Sequence, residues 1–136
     1  MDSELRSATA DDIEGVLAFW QEAAEPTSTD SAEVLTGLVG RHPGALTVAE
    51  ADGRIVGTVI AGWDGWRGSI YRLAVRPDQR RRGLGQALLR AAEDHLTALG
   101  ARRLHAIVVE SNDNAVAFWT ASDWENQAGQ LRFAKG

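Results

Sequence analysis

The chain of 136 residues has no cysteine, one methionine, one tyrosine and three prolines. The missing cysteines exclude a disulfide framework, a thiolate zinc site and a cysteine nucleophile. No apolar run approaches the roughly 18 residues needed to span a bilayer. The opening Met1-Asp2-Ser3-Glu4 is acidic and lacks the basic and apolar regions of a signal peptide. The expectation is a cytoplasmic protein without a membrane partner. The three histidines, His42, His95 and His105, have no metal-ligand spacing, so no metal is expected.

What is present suits one domain over residues 1–136, long enough to bury about two thirds of its unfolded surface. The net charge of −5 is unevenly spread. Residues 1–53 hold eleven acids against two arginines (−9), and residues 54–136 hold eight acids against twelve basic residues (+4). Five arginines and one aspartate fall within residues 76–90. A basic patch on an acidic chain points to a local polyanion site, whereas a nucleic-acid partner would want a broad basic face. A solvated cluster of loop arginines is the plain alternative.

Periodicity orders the elements. A short strand over 4–8 is followed by Thr9-Ala10-Asp11-Asp12, a helix start, and by Ile13, Val16, Leu17 and Trp20 at helical spacing. Ser31 caps a second helix, which His42-Pro43-Gly44 ends. From Leu46 the period becomes two, with a turn signal at Asp52-Gly53 and strands over 55–63 and 69–75. Leu84, Leu88, Ala92 and Leu99 repeat at 3.6 before Gly100 stops the helix. A nearly all-apolar strand over 104–109 reads as buried on both faces. Asn112 then opens a helix, and 124–127 with 131–134 read as a closing hairpin. The pattern is α/β of the α+β type, with a mixed, mostly antiparallel central sheet of about seven strands and about four helices.

The junction between the 69–75 strand and the following helix carries the chemistry. Arg80-Arg81-Arg82-Gly83-Leu84-Gly85 leads from a proline-ended strand into an apolar helix. Unpaired N–H groups and the helix dipole at such a start favour a phosphate, each contact contributing about 0.3 to 1 kcal/mol. A Gly-x-Gly alone can mark no more than a tight turn. The dinucleotide fingerprint is missing, because Leu88 fills the third glycine position, and the phosphate-loop lysine is absent.

This arrangement, with Val-x-Pro before it, resembles the GNAT superfamily of N-acetyltransferases over essentially the whole chain. A second signature, Asn112-Asp113-Asn114-Ala115-Val116-Ala117-Phe118-Trp119, resembles that family's Asn-x-x-Ala-x-x-x-Tyr helix. The resemblance implies acetyl-CoA, as co-substrate, in a cleft between splayed fourth and fifth strands. Backbone groups of Leu73, Ala74 and Val75 would bond the pantetheine arm. Amides from Arg81, Arg82, Gly83, Leu84, Gly85 and Gln86 would hold the pyrophosphate, with guanidinium charge from Arg80, Arg81 or Arg82. Asn112, Ala115 and Phe118 would line the thiol end.

The implied reaction is direct acetyl transfer to a neutral primary amine of a small molecule or a peptide or protein end, with no nucleic acid involved. It needs a proton acceptor. Glu110 is the carboxylate placed by sequence to face the cleft, with a solvated strand-end acid as its alternative reading. Tyr71 is the second proton handler, or else a core aromatic. Counting back from the glycines, the position of the glutamate used by histone-type relatives falls on Ser69. The family's usual tyrosine acid falls on Trp119, whose indole is no comparable acid, leaving water to protonate the thiolate. That departure also motivates a competing reading as a non-catalytic acyl-CoA-binding or sensing module. Trp20, Glu22, Glu25, Trp63, Asp64 and Trp66 lie in the stretches that build the acceptor side, where aromatic and acidic groups suit a cationic amine. Homodimers are frequent in such a family.

Overall fold

The computed structural model describes residues 3–80, 83–108 and 111–136. Two compact units, Met1–Ala106 and Ile107–Gly136, make up the chain. In the first, β1 (Glu4–Ser7), α1 (Ile13–Ala23) and α2 (Ala32–Arg41) precede β2 (Leu46–Ala51), β3 (Arg54–Trp63) and β4 (Gly68–Val75). Helix α3 (Leu84–Leu99) and strand β5 (Leu104–Ala106) complete it. The sheet order is β1-β2-β3-β4-β5. The first three pairings are antiparallel and only β4 with β5 is parallel. The β2–β3 turn falls on Asp52 and Gly53, both at positive φ (54° and 76°), as a tight hairpin twist requires.

The period-two pattern of β3 sends alternate side chains to opposite faces. Thr58 and Ile60 meet the α1 side, where Ile13, Val16, Phe19 and Trp20 pack with Leu35, Leu46 and Val48. Gly57 meets the α3 side, where a Cβ would stand 2.8 Å from Leu88 Cδ1. The stripe Leu84, Leu88, Leu89, Ala92 and Leu96 is the buried face of α3. Each of these leucines contributes roughly 1.5–3 kcal/mol by leaving water. Gly100 ends the helix at φ 112°, and the N–H of Ala101 returns to the Leu96 carbonyl at 3.0 Å.

Arg6 fastens β1. Its guanidinium donates to both carboxylate oxygens of Asp12 at 2.8 Å and to Glu50 Oε1 at 2.7 Å. Chiefly because of that arginine, the Asp12 carboxyl lies near 2 instead of 3.8.

Two expectations are corrected. Among the described residues strand β5 covers Leu104–Ala106, Val109 of the expected strand lying outside them, and it is not buried on both faces: His105 is exposed, and Ile107 beyond it is 61 % exposed. The ladder between β4 and β5 runs only from Gly68↔Leu104 to Ile70↔Ala106. The sheet therefore has five strands among the described residues and not about seven, because 124–134 forms no hairpin. An isolated hairpin is marginal without a face to bury. Leu131 and Phe133, the side chains that would supply that face, are 83 % and 90 % exposed.

The second unit holds α4 (Asp113–Ala121), started by Asn112, whose side-chain oxygen accepts the Ala115 N–H at 3.0 Å. Trp119 packs edge-on against Phe118 and Trp124, with ring centroids 5.8 Å and 4.6 Å apart.

Candidate functional site

Two features converge on the C-terminal half of β4. The first is the start of α3. Gly83, at φ 80°, turns the chain in the left-handed region directly before the helix. The first turn of α3 carries no acid, and the N–H groups of Leu84 and Gly85 have no intrahelical acceptor. Arg80 folds back toward the strand end, its Nε donating to the Val75 carbonyl at 3.3 Å. Such a start attracts an anion.

The second is a bulge in β4. Between Thr58↔Ala74 and Ile60↔Tyr71, β3 advances two residues and β4 three. The extra residue re-aims the strand at Arg72, whose φ of 53° is left-handed without being glycine. Thr58, fully buried, donates its hydroxyl to the Arg72 carbonyl at 2.8 Å and accepts the indole N–H of Trp20 at 2.9 Å. The Arg72 guanidinium lies 4.9 Å over the Trp20 ring. It donates to the Glu25 carbonyl at 2.7 Å and pairs with the Asp30 carboxylate through Nε and Nη2.

The ladder to β5 ends at Ile70, so the edge of 71–75 turned away from β3 has no strand partner among the described residues. Leu73, Ala74 and Val75 thus lie on an open edge that leads to the α3 start. Tyr71 is 54 % exposed, and its ring covers Gly62, where a Cβ would come within 2.9 Å.

The acceptor-side candidates do not gather. Trp20 is 3 % exposed, with its N–H and one ring face already engaged, so it is a core side chain and not an exposed wall. Glu25 is an exposed loop residue beyond α1, and Glu22 pairs with Arg76 at 3.0 Å. Trp63 lies on the α3 side of the sheet, in a groove of about 490 Å³ with Trp66, Arg67, Leu99, Arg102 and Arg103. Asp64 accepts the backbone N–H groups of Trp66 and Arg67, each at 2.7 Å, and these bonds hold its carboxyl below the usual range.

Glu110, Arg81 and Arg82 lie outside the described residues. Asn112, Ala115, Phe118 and Trp119 belong to the second unit. Gln86 sits in the first turn of α3, exposed. Sequence reasoning missed Arg72 and Thr58. It also missed the contact of Ser69 with His105, whose Oγ and Nε2 are 2.9 Å apart. No cluster of three or more histidine, aspartate or glutamate side chains could hold a metal ion among the described residues. No described helix is long and apolar enough to cross a membrane.

An open strand edge running into an acid-free, glycine-led helix start suits an extended ligand with an anionic end, and the comparisons supply the class. The family model for the acetyltransferase (GNAT) family matches residues 11–122. An acetyltransferase of Pectobacterium atrosepticum is 36 % identical over 124 residues, covering 90 % of this chain and 87 % of its own. Among solved structures, AAC(6')-Iy in complex with the bisubstrate analogue CoA-S-monomethyl-acetylneamine superposes with a TM-score of 0.82. That match has 17 % identity and covers 100 % of this chain and 99 % of the other. The PaiA N-acetyltransferase of Thermoplasma acidophilum, in complex with coenzyme A, gives 0.79 at 18 % identity, covering 89 % and 88 %. The chain belongs to the GNAT acetyltransferase family and is an acyltransferase.

Proposed function

We propose that this acyltransferase uses acetyl-CoA and transfers the acetyl group directly to a primary amine of a small molecule or a peptide end. The observation that carries the reading is the α3 start: left-handed Gly83, no acid in the first turn, and the open edge of β4 leading to it. These residues fit CoA. The α3 amides, with Arg80, Arg81 and Arg82, suit its pyrophosphate, and the backbone of Leu73, Ala74 and Val75 suits the amides of its pantetheine arm. Acetyl-CoA, when bound, supplies an activated thioester.

The chain's own residues supply orientation and proton transfer. The amine must lose a proton, for which Glu110 is the acceptor in this proposal, with Tyr71, solvent-exposed on β4, as the alternative proton handler. Trp119 packs in an aromatic cluster, so water is assigned the protonation of the departing thiolate. Support for a small amine comes from the solved neighbours, which include aminoglycoside N-acetyltransferases. Within this reading residues 1–136 act as one catalytic domain in the cytoplasm, and dimerisation is part of the proposal.

Titration calorimetry with CoA, followed by thiol release from acetyl-CoA with polyamines, aminoglycosides, amino acids and peptide N-termini, tests it. Gly85→Asp places a carboxylate in the first turn of α3 and is expected to weaken CoA binding at least about tenfold with the far-ultraviolet spectrum kept. Undiminished CoA affinity in that variant would move the pyrophosphate site elsewhere.

A further inference from the structure

We infer that Arg72 is a positioning residue that locks the loop of residues 24–31 to the β4 bulge, so that recognition of the amine depends on it while affinity for the cofactor does not. The inference rests on the transferase reading above for the amine, and on geometry alone for the lock.

Three constraints meet at this side chain. Its backbone is held in the left-handed region, with the carbonyl fixed by the Thr58 hydroxyl at 2.8 Å. Its guanidinium stacks over Trp20, whose N–H in turn fixes the same hydroxyl at 2.9 Å. Its outer nitrogens hold the loop at two points, the Glu25 carbonyl and the Asp30 carboxylate. Asp30 is also the loop's internal tie, accepting from the Thr27 N–H at 3.2 Å and the Thr27 hydroxyl at 2.9 Å. Both charged side chains are largely withdrawn from water, at 14 % and 18 % exposure. A planar, forked guanidinium can serve a carboxylate, a carbonyl and an aromatic face together, and a lysine ammonium cannot.

The bulge and the loop have different tasks. Arg72 lies next to Tyr71, which stands open to solvent on the same stretch of β4. The loop carries the exposed Glu25, and the bond to the Glu25 carbonyl fixes the backbone from which that carboxylate projects. Among the described residues the pyrophosphate-type site at Gly83 shares no hydrogen bond with the lock. Loosening it should therefore free the loop without touching the α3 start.

The test compares wild type with Arg72→Lys, Arg72→Gln and Asp30→Asn, folding being checked by circular dichroism. Asp30→Asn keeps the arginine and the bulge, and so serves if Arg72→Gln does not fold. Hydrogen exchange of the amides in 24–31 is expected to rise about tenfold or more in Arg72→Gln and Asp30→Asn, and less in Arg72→Lys. CoA affinity should stay within about threefold, while KM for the best acceptor among spermidine, neamine and a peptide N-terminus rises about tenfold with kcat within about threefold. Exchange unchanged within about twofold, or CoA affinity falling as far as acceptor affinity, would overturn the inference. If wild type acetylates none of these amines, the amine part of the inference fails, and loop exchange together with CoA affinity still decides whether the lock exists.

Discussion

Thr58 is one hydroxyl with two obligations in the core. It donates to the bulge carbonyl of Arg72 and accepts from the Trp20 indole. Replacing it by valine keeps the volume but strands a buried donor and a buried acceptor. Thr58→Val should cost about 1–3 kcal/mol in urea unfolding, an amount typical of a buried polar group left unpaired. The Asp12 carboxylate gives a second residue-scale prediction. Its folded pKa, near 2, lies below the unfolded 3.8, so its contribution is complete above about pH 4 and disappears as pH falls through 2. Asp12→Asn should lower stability by about 1 kcal/mol at pH 6, and the gap to wild type should close between pH 4 and 2. At this scale the sequence spoke unevenly. Trp20 sits on the same helical stripe as Ile13 and Val16, which already marked it as core-facing. Arg72 carried no such mark, because a bulge depends on the register between two strands and not on local composition.

At the scale of elements, α3 was the most readable part of the chain. Its 3.6-residue stripe and its glycine at each end determine its length and the face it buries. What faces it was harder to see. Gly57 lies under the helix, where an added Cβ would stand 2.8 Å from Leu88 Cδ1. Gly57→Ala would push a methyl group onto Leu88, which is fully buried and has nowhere to go, and should destabilise the protein by about 1–3 kcal/mol in thermal or urea unfolding. The last elements were misread for a physical reason. Alternating Leu131 and Phe133 fit a strand pattern, but a pattern makes a strand only where a neighbour offers a ladder and a surface to cover. Among the acceptor candidates, Trp20 and Trp63 are brought to opposite faces of the sheet by topology, which residue type does not disclose.

Across the whole molecule, charge and backbone divide the work. The acidic first part and the basic second part give a chain of net charge −5 with its arginines concentrated around the start of α3. An anionic ligand must approach through that local field, which is screened within about 8 Å at physiological salt. Raising sodium chloride from about 50 to 500 mM should weaken CoA binding about threefold or more in calorimetry. The open stretch of β4 also bears on how the protein behaves in a test tube. A strand that shows its N–H and C=O groups along one side is a template for any other extended chain, including a second molecule of itself. A bound ligand lying along that edge would cover it, so CoA should suppress heat-induced clumping beyond what its effect on the melting temperature alone explains.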